Sequence, residues 1–125
     1  MSPITNEFKE LSEPGVLPDK YDAPDYGRAT RGAALGYLAR SLLYAASPLH
    51  KASGVTWKEE ADAAYDMIEY ADGGDFYRLY EDPTTPEKSY TRLFNTRTNS
   101  ETIMAFLRAQ QTTSTEQCLL LTIGT

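Results

Sequence analysis

The stretch that decides the fold is Thr30-Arg31-Gly32-Ala33-Ala34-Leu35-Gly36-Tyr37-Leu38-Ala39-Arg40-Ser41-Leu42-Leu43-Tyr44-Ala45-Ala46-Ser47-Pro48. Thr30 is placed to cap a helix that runs to about Ala46, because a threonine hydroxyl can accept from a free amide of the first turn. Its apolar residues form two stripes at helical spacing: Ala34, Leu38, Leu42 and Ala45, then Leu35, Ala39, Leu43 and Ala46. A helix that is apolar on two faces is expected to be buried on two faces. Gly32 and Gly36, four apart, share a face without side chains, at a propensity cost of about 1 kcal/mol each. Close approach of a neighbouring helix is the expected compensation. Ser47-Pro48 ends the element, since the residue before proline avoids the α region.

Downstream, residues 50–55 read as a connecting loop, and Thr56-Trp57-Lys58-Glu59 reads as a capping box. Trp57, Ala61, Ala64, Ile68 and Ala71 then follow at helical spacing, with Lys58, Glu59, Asp62, Asp66 and Glu69 on the other side. This is the clearest amphipathic helix in the chain, and Gly73-Gly74 is expected to stop it. The fold class is therefore all-α: an antiparallel helix pair of tetratricopeptide type with long loops around it. One such pair cannot bury its own faces. The first helix wants two neighbours and the sequence offers one obvious partner. The chain is thus expected to be part of a larger protein or to associate with itself, and its isolated core to be marginal.

The flanking segments carry less pattern. Residues 1–27 contain Pro3, Pro14, Pro18 and Pro24 and read as an extended arm, with only Phe8 and Leu11 hinting at a helical turn. Residues 75–80 alternate weakly before the Asp82-Pro83 turn. Residues 90–95 fit one helical turn, and residues 101–108 a strand or a short buried segment. Residues 110–117 are polar and Thr-rich, and residues 118–125 are apolar without usable pattern. At 125 residues, with 41% hydrophobic and 24% charged, the chain has the size and composition of one ordinary globular domain. The net charge of −6 makes nucleic acid a poor partner, since phosphate contacts need clustered Lys and Arg. A lone cysteine, Cys118, leaves no internal disulfide and no multi-cysteine metal site. Residues 1–20 hold four carboxylates and no apolar core of a signal peptide, and no lipid-attachment cysteine lies near the start.

The segment Tyr26-Gly27-Arg28-Ala29-Thr30-Arg31-Gly32-Ala33-Ala34, then Leu38-Ala39-Arg40 and Leu43-Tyr44-Ala45-Ala46, resembles the SusD/RagB family of outer-membrane, nutrient-binding lipoproteins. In that family a Gly-Arg-x-Thr-Lys-Gly-Ala-Ala start leads into an Ala-rich helix, a loop, and a Trp opening a second helix, here Trp57 with Ala61-Asp62-Ala63-Ala64 after it. Leu17-Pro18, Phe76-Tyr77-Arg78-Leu79-Tyr80, Leu93-Phe94 and Asn99-Ser100-Glu101-Thr102-Ile103 match further elements in the same order. The resemblance covers residues 17–110 and implies three divisions: an arm (1–27), a SusD-like helical-repeat segment (28–110) and an atypical tail (111–125) of the kind a frame change near Gln110 would produce. It implies a scaffold piece of a larger α-superhelical, carbohydrate-binding accessory protein on the cell surface. That protein would be partnered by a TonB-dependent outer-membrane transporter, with oligosaccharide as cargo of the whole protein. Export by a leader and lipobox upstream belongs to the same implication. Family members bind without making or breaking bonds, so no enzyme activity and no cofactor are expected.

Individual residues give weaker signals. Trp57 shares its stripe with Ala61 and Ile68, so it reads as core rather than as a sugar-stacking platform. Tyr77, Tyr80 and Tyr90 lie outside the long helices and are the weak candidates for ligand contact, an exposed tyrosine offering an apolar face and a polar tip. Asp62, Asp66 and Glu69 share a face but read as solvated, since calcium takes six to eight oxygens, usually from a loop; Asp72-Gly73-Gly74-Asp75 likewise reads as a helix stop. Arg28 and Arg31 stand where the helix dipole disfavours cations, and pairing with Asp22 or Asp25 is the expected relief. His50 has no nucleophile partner in sequence, and no phosphate-loop, nucleophile-elbow or zinc-protease motif occurs. The alternative to glycan capture is a generic tetratricopeptide-like protein-interaction module.

Overall fold

The computed structural model describes residues 3–96 and 98–105. It contains α1 (Pro3–Ser12), α2 (Arg31–Ala46), α3 (Trp57–Gly74) and the single turn α4 (Ser89–Leu93), with short 3-10 turns between them. No strand occurs among the described residues, so the all-α reading holds at this level. None of the described helices is long and apolar enough to cross a membrane.

The centre of the fold is α2, which packs against α3 on one side and α1 on the other. Its ends follow the local chemistry: Thr30 Oγ1 accepts from the Ala33 amide at 3.2 Å, and Ser47 turns extended before Pro48. The start of α2 lies against the end of α3, because Arg31 sits over the Tyr70 ring, so the pair is antiparallel. The capping box of α3 is complete: Glu59 N–H donates to Thr56 Oγ1, and Thr56 N–H donates to Glu59 Oε2 at 2.7 Å. Both Gly73 and Gly74 are helical, and the left-handed cap is Asp75 at φ 49°.

The second neighbour that α2 wanted is α1, where the sequence suggested an extended arm. Its inward side is Thr5, Phe8 and Ser12, at i, i+3 and i+7. Thr5 and Ser12 are buried, and Phe8 stacks on Tyr37 of α2 with ring centroids 5.6 Å apart. The aliphatic residues Ile4 and Leu11 are exposed instead. Helical periodicity is present in the sequence, Ile4, Phe8 and Leu11 recurring at i, i+4 and i+7. The four prolines argued for an arm, yet Pro3 stands at the first helical position, where proline is tolerated, and the other three lie beyond Ser12.

The second correction concerns α3. Trp57 and Ile68, expected in the core, are 55% and 56% exposed, and Ala61 is exposed with them. The side turned to α2 is Ala63, Met67 and Tyr70. The period is that of the sequence reading, but the phase is rotated by roughly one residue, about 100°. Tyr70 sets that phase: its hydroxyl donates to Asp19 Oδ1 at 2.9 Å, its ring stacks on Phe76 at 4.7 Å, and Arg31 covers it at 5.0 Å.

Nor does a helix approach Gly32. The side chain laid over it is Tyr77, from the segment leaving α3; a Cβ at Gly32 would lie 2.6 Å from Tyr77 Cε2. At Gly36 the nearest atom is Ile103 Cγ2 at 3.9 Å, an ordinary contact. Gly32→Ala is therefore expected to destabilise by about 1–3 kcal/mol through overpacking. Gly36→Ala should gain up to about 1 kcal/mol from helix propensity. Thermal melts of the two variants, side by side, check the contrast.

Residues 101–105 are neither strand nor buried segment: Ile103 and Met104 are exposed. The remainder of 101–108, the tail 111–125 and Cys118 lie outside the described residues.

Candidate functional site

Three segments meet beside the start of α2 and the end of α3. Residues 19–30, 74–78 and 98–105 contribute the walls of a cleft of about 1010 Å³. Four aromatic rings line it, from Tyr21, Tyr26, Phe76 and Tyr77. Between them stand Lys20, Arg28 and Arg78, with Asp19 and Asp75 among the walls.

Local interactions fix most of these side chains. Arg28 pairs with Asp25 at 3.0 Å, as the sequence led one to expect, and Arg78 pairs with Asp75 at 3.4 Å. Both pairs are exposed, so they orient the guanidinium groups without adding much stability. Phe76 is stacked on Tyr70. Tyr77 shares a 3.3 Å hydrogen bond with Thr30 Oγ1 and covers Gly32. Asn99 is spent on its own turn, its Oδ1 accepting from the Glu101 and Thr102 amides at 3.0 Å each. Burial, reinforced by the Asp19 carboxylate, pushes the Tyr70 hydroxyl above the usual phenol range. It therefore remains a donor that ties α3 to the segment leading into the cleft.

Of the three tyrosines singled out in the sequence, only Tyr77 lines this cleft, and it is half-buried. Tyr80 is half-buried elsewhere, its amide donating to Glu101 Oε2 at 3.1 Å. Tyr90 is exposed and meets Phe94 edge-on at 5.3 Å. The structure does not gather the three into one patch. The rings it does gather, Tyr21 and Tyr26 with Phe76 and Tyr77, come from both sides of the helix pair. Tyr26, Phe76 and Tyr77 stand in the sequence elements quoted above, whereas Tyr21 carries no signal of its own in the sequence.

Arg31 finds its relief elsewhere than in Asp22 or Asp25. Its Nε donates to the Ser12 carbonyl at 2.7 Å, at the negative end of α1, and its guanidinium lies over Tyr70.

A different polar cluster closes the loop after the cleft. Asp82 is buried, and its Oδ1 accepts from the Thr85 and Thr84 amides at 2.7 and 3.0 Å and from Thr85 Oγ1 at 3.1 Å. Arg92 Nη1 donates to Oδ2 at 3.0 Å. The Thr85 amide above all, then the other donors, holds this carboxyl down at about 2 against the opposing effect of burial. With both oxygens occupied, Asp82 is a tie for the turn rather than an acid or base. A carboxyl whose folded value lies below its ordinary one stabilises above the ordinary value and loses that contribution as pH falls. Protection of the Thr84 and Thr85 amides should thus hold at neutral pH and fade between pH 3.8 and about 2. Asp82→Asn should lower that protection about tenfold or more at neutral pH, as amide hydrogen exchange would show.

Chemically, the cleft offers ring faces, exposed guanidinium groups paired with carboxylates, and a nearly balanced charge. That suits non-covalent binding of a neutral polar ligand. Among the described residues no group of three or more His, Cys, Asp or Glu is placed to hold a metal. Comparison with protein-family models finds no match, and neither curated proteins nor solved structures yield one.

Proposed function

We propose that this chain is scaffold of a carbohydrate-binding accessory protein in a TonB-dependent glycan uptake system, of the SusD/RagB kind. What carries the reading is the order and mutual fit of the sequence elements behind the resemblance. Thr30 caps α2, Trp57 opens α3, Tyr77 from the Phe76-Tyr77-Arg78-Leu79-Tyr80 element lies over Gly32, and the Arg78 amide donates to the Ser100 carbonyl of the Asn99-Ser100-Glu101 element. Elements remote in sequence thus depend on one another in space, which gives a physical reason for them to occur together.

On this reading the helices hold a binding surface built elsewhere in the whole protein, which sits on the cell surface over the transporter. The isolated chain should therefore bind oligosaccharides no better than weakly. The test is genetic. A gene for a TonB-dependent barrel should adjoin this one, and deleting this gene should impair growth on one complex glycan as sole carbon source. Unimpaired growth on every glycan tried, with no barrel gene nearby, would remove the proposal.

A further inference from the structure

We propose that the exposed apolar stripe of α3, with the carboxylates beside it, docks a basic amphipathic helix. This inference does not rest on the glycan-uptake reading. Trp57, Ala61, Tyr65 and Ile68 fall within an arc of about 80° at 100° per residue. They run along the helix for about 17 Å, at 1.5 Å per residue. Trp57, Tyr65 and Ile68 are each more than half exposed. Two aromatic anchors and an aliphatic one around a small Ala61 make a surface on which a second helix can approach closely. Trp and Tyr are also the residues enriched among those that dominate interface energies.

Charge decides what covers the stripe. Helix α3 carries Glu59, Glu60, Asp62, Asp66, Glu69 and Asp72 against the single cation Lys58. Lys58 is already committed to Asp62 at 2.6 Å. Asp66 and Glu69 lie on the arc between the stripe and a groove that they line with Arg31 and Tyr70, and Asp72 lies at the stripe's C-terminal end. The Tyr65 hydroxyl hydrogen-bonds Glu69, and none of the three carboxylates is in an ion pair among the described residues. A second copy of the chain would bring two such acidic helices together at about 8–10 Å between axes. That is within a screening length of about 10 Å at 0.1 M salt, so the repulsion would be felt. A helix with Leu-like residues on one face and Lys or Arg beside them meets both features at once. It buries the stripe and supplies cations to carboxylates that have no ion-pair partner among the described residues, and like-charged partners are rejected by the same row.

Trp57 is the chain's one tryptophan and reports directly on the stripe. The experiment titrates the protein with a helical Leu/Lys peptide whose leucines recur at i, i+3, i+4 and i+7. A scrambled peptide of the same composition and a Leu/Glu peptide of the same pattern are run in parallel. The expected result is a saturable blue shift of Trp57 emission with the Leu/Lys helix at micromolar concentration. The scrambled peptide should bind about tenfold or more weakly, and the Leu/Glu peptide not at all. Ile68→Glu and the pair Asp66→Lys, Glu69→Lys should each weaken binding about tenfold. All of these positions are exposed, and circular dichroism verifies that the variants are folded. Affinity should also fall on raising salt from about 0.05 to about 0.5 M. Equal binding of the scrambled peptide overturns the proposal, since charge alone would then suffice. So does an unshifted Trp57 emission, and so does sedimentation showing a dimer that buries Trp57 without peptide.

Discussion

Leu42→Ala is expected to cost about 2–5 kcal/mol, the usual penalty for removing a fully packed leucine. Few other side chains hold this fold. The buried apolar residues among those described are Ala33, Ala34, Leu35, Leu42 and Ala63, of which only the two leucines are large. Both belong to α2, the helix that the other two pack against. A domain of this size has about 5–15 kcal/mol of stability, and so small a core places this one at the low end. The variant should therefore lose most of its cooperative transition at 25 °C. Leu43→Ala is the control. Leu43 is next in sequence but 47% exposed, and its loss should stay under about 1 kcal/mol. Thermal melts followed by circular dichroism separate the two, at roughly 3–6 °C per kcal/mol for a domain of this length. Melting points for Leu42→Ala and Leu43→Ala within a few degrees of each other would mean that α2 is not the centre of the core.

The parts of this fold that were legible in the sequence are those governed by backbone chemistry over a few residues. Thr30, the Thr56–Glu59 capping box and Ser47-Pro48 all act where they were expected, because a cap or a stop depends only on its immediate neighbours. What the sequence did not show depended on partners far along the chain. The phase of α3 follows from Tyr70, and Tyr70 is held by Asp19, Arg31 and Phe76; no periodicity count on α3 alone contains that information. The burial of Gly32 under Tyr77 spans a similar distance. Helix α1 has its period in Ile4, Phe8 and Leu11, but the prolines around it point to an arm, and the side it buries is Thr5 and Ser12 rather than Ile4 and Leu11. The cleft was less legible still. Tyr77 was singled out, but Tyr80 and Tyr90 were not brought to it, and Tyr21, Tyr26 and Phe76 became a group only when the segments before α2 and after α3 were seen side by side.

Arg31→Ala should lower stability by about 2 kcal/mol, a large effect for a half-buried side chain at a helix start. Isolated, a cation at the first turn of α2 is unfavourable by about 0.3–1 kcal/mol, and removing it would then stabilise. Here three elements meet at the guanidinium. Its hydrogen bond to the Ser12 carbonyl is charge-assisted and satisfies an acceptor at the open end of α1. Such bonds are worth about 1.5–3 kcal/mol. Its position over the Tyr70 ring adds about 0.5–1 kcal/mol. Set against the dipole penalty, the balance favours the arginine and predicts a drop in melting temperature of about 6–12 °C. Arg31→Lys keeps the charge but loses the flat face and the Nε donor, so it should recover only part of the loss. The position of the contact gives a second readout. Arg31 joins α1 and α3 across the start of α2, so in Arg31→Ala the amides of α1 should exchange faster while those of α2 facing α3 keep most of their protection. Tyr70→Leu combined with Arg31→Ala completes a cycle whose coupling energy isolates the ring contact. A coupling near zero would leave the Ser12 hydrogen bond as the sole reason for an arginine at this position, and an unchanged melting temperature in Arg31→Ala would remove both.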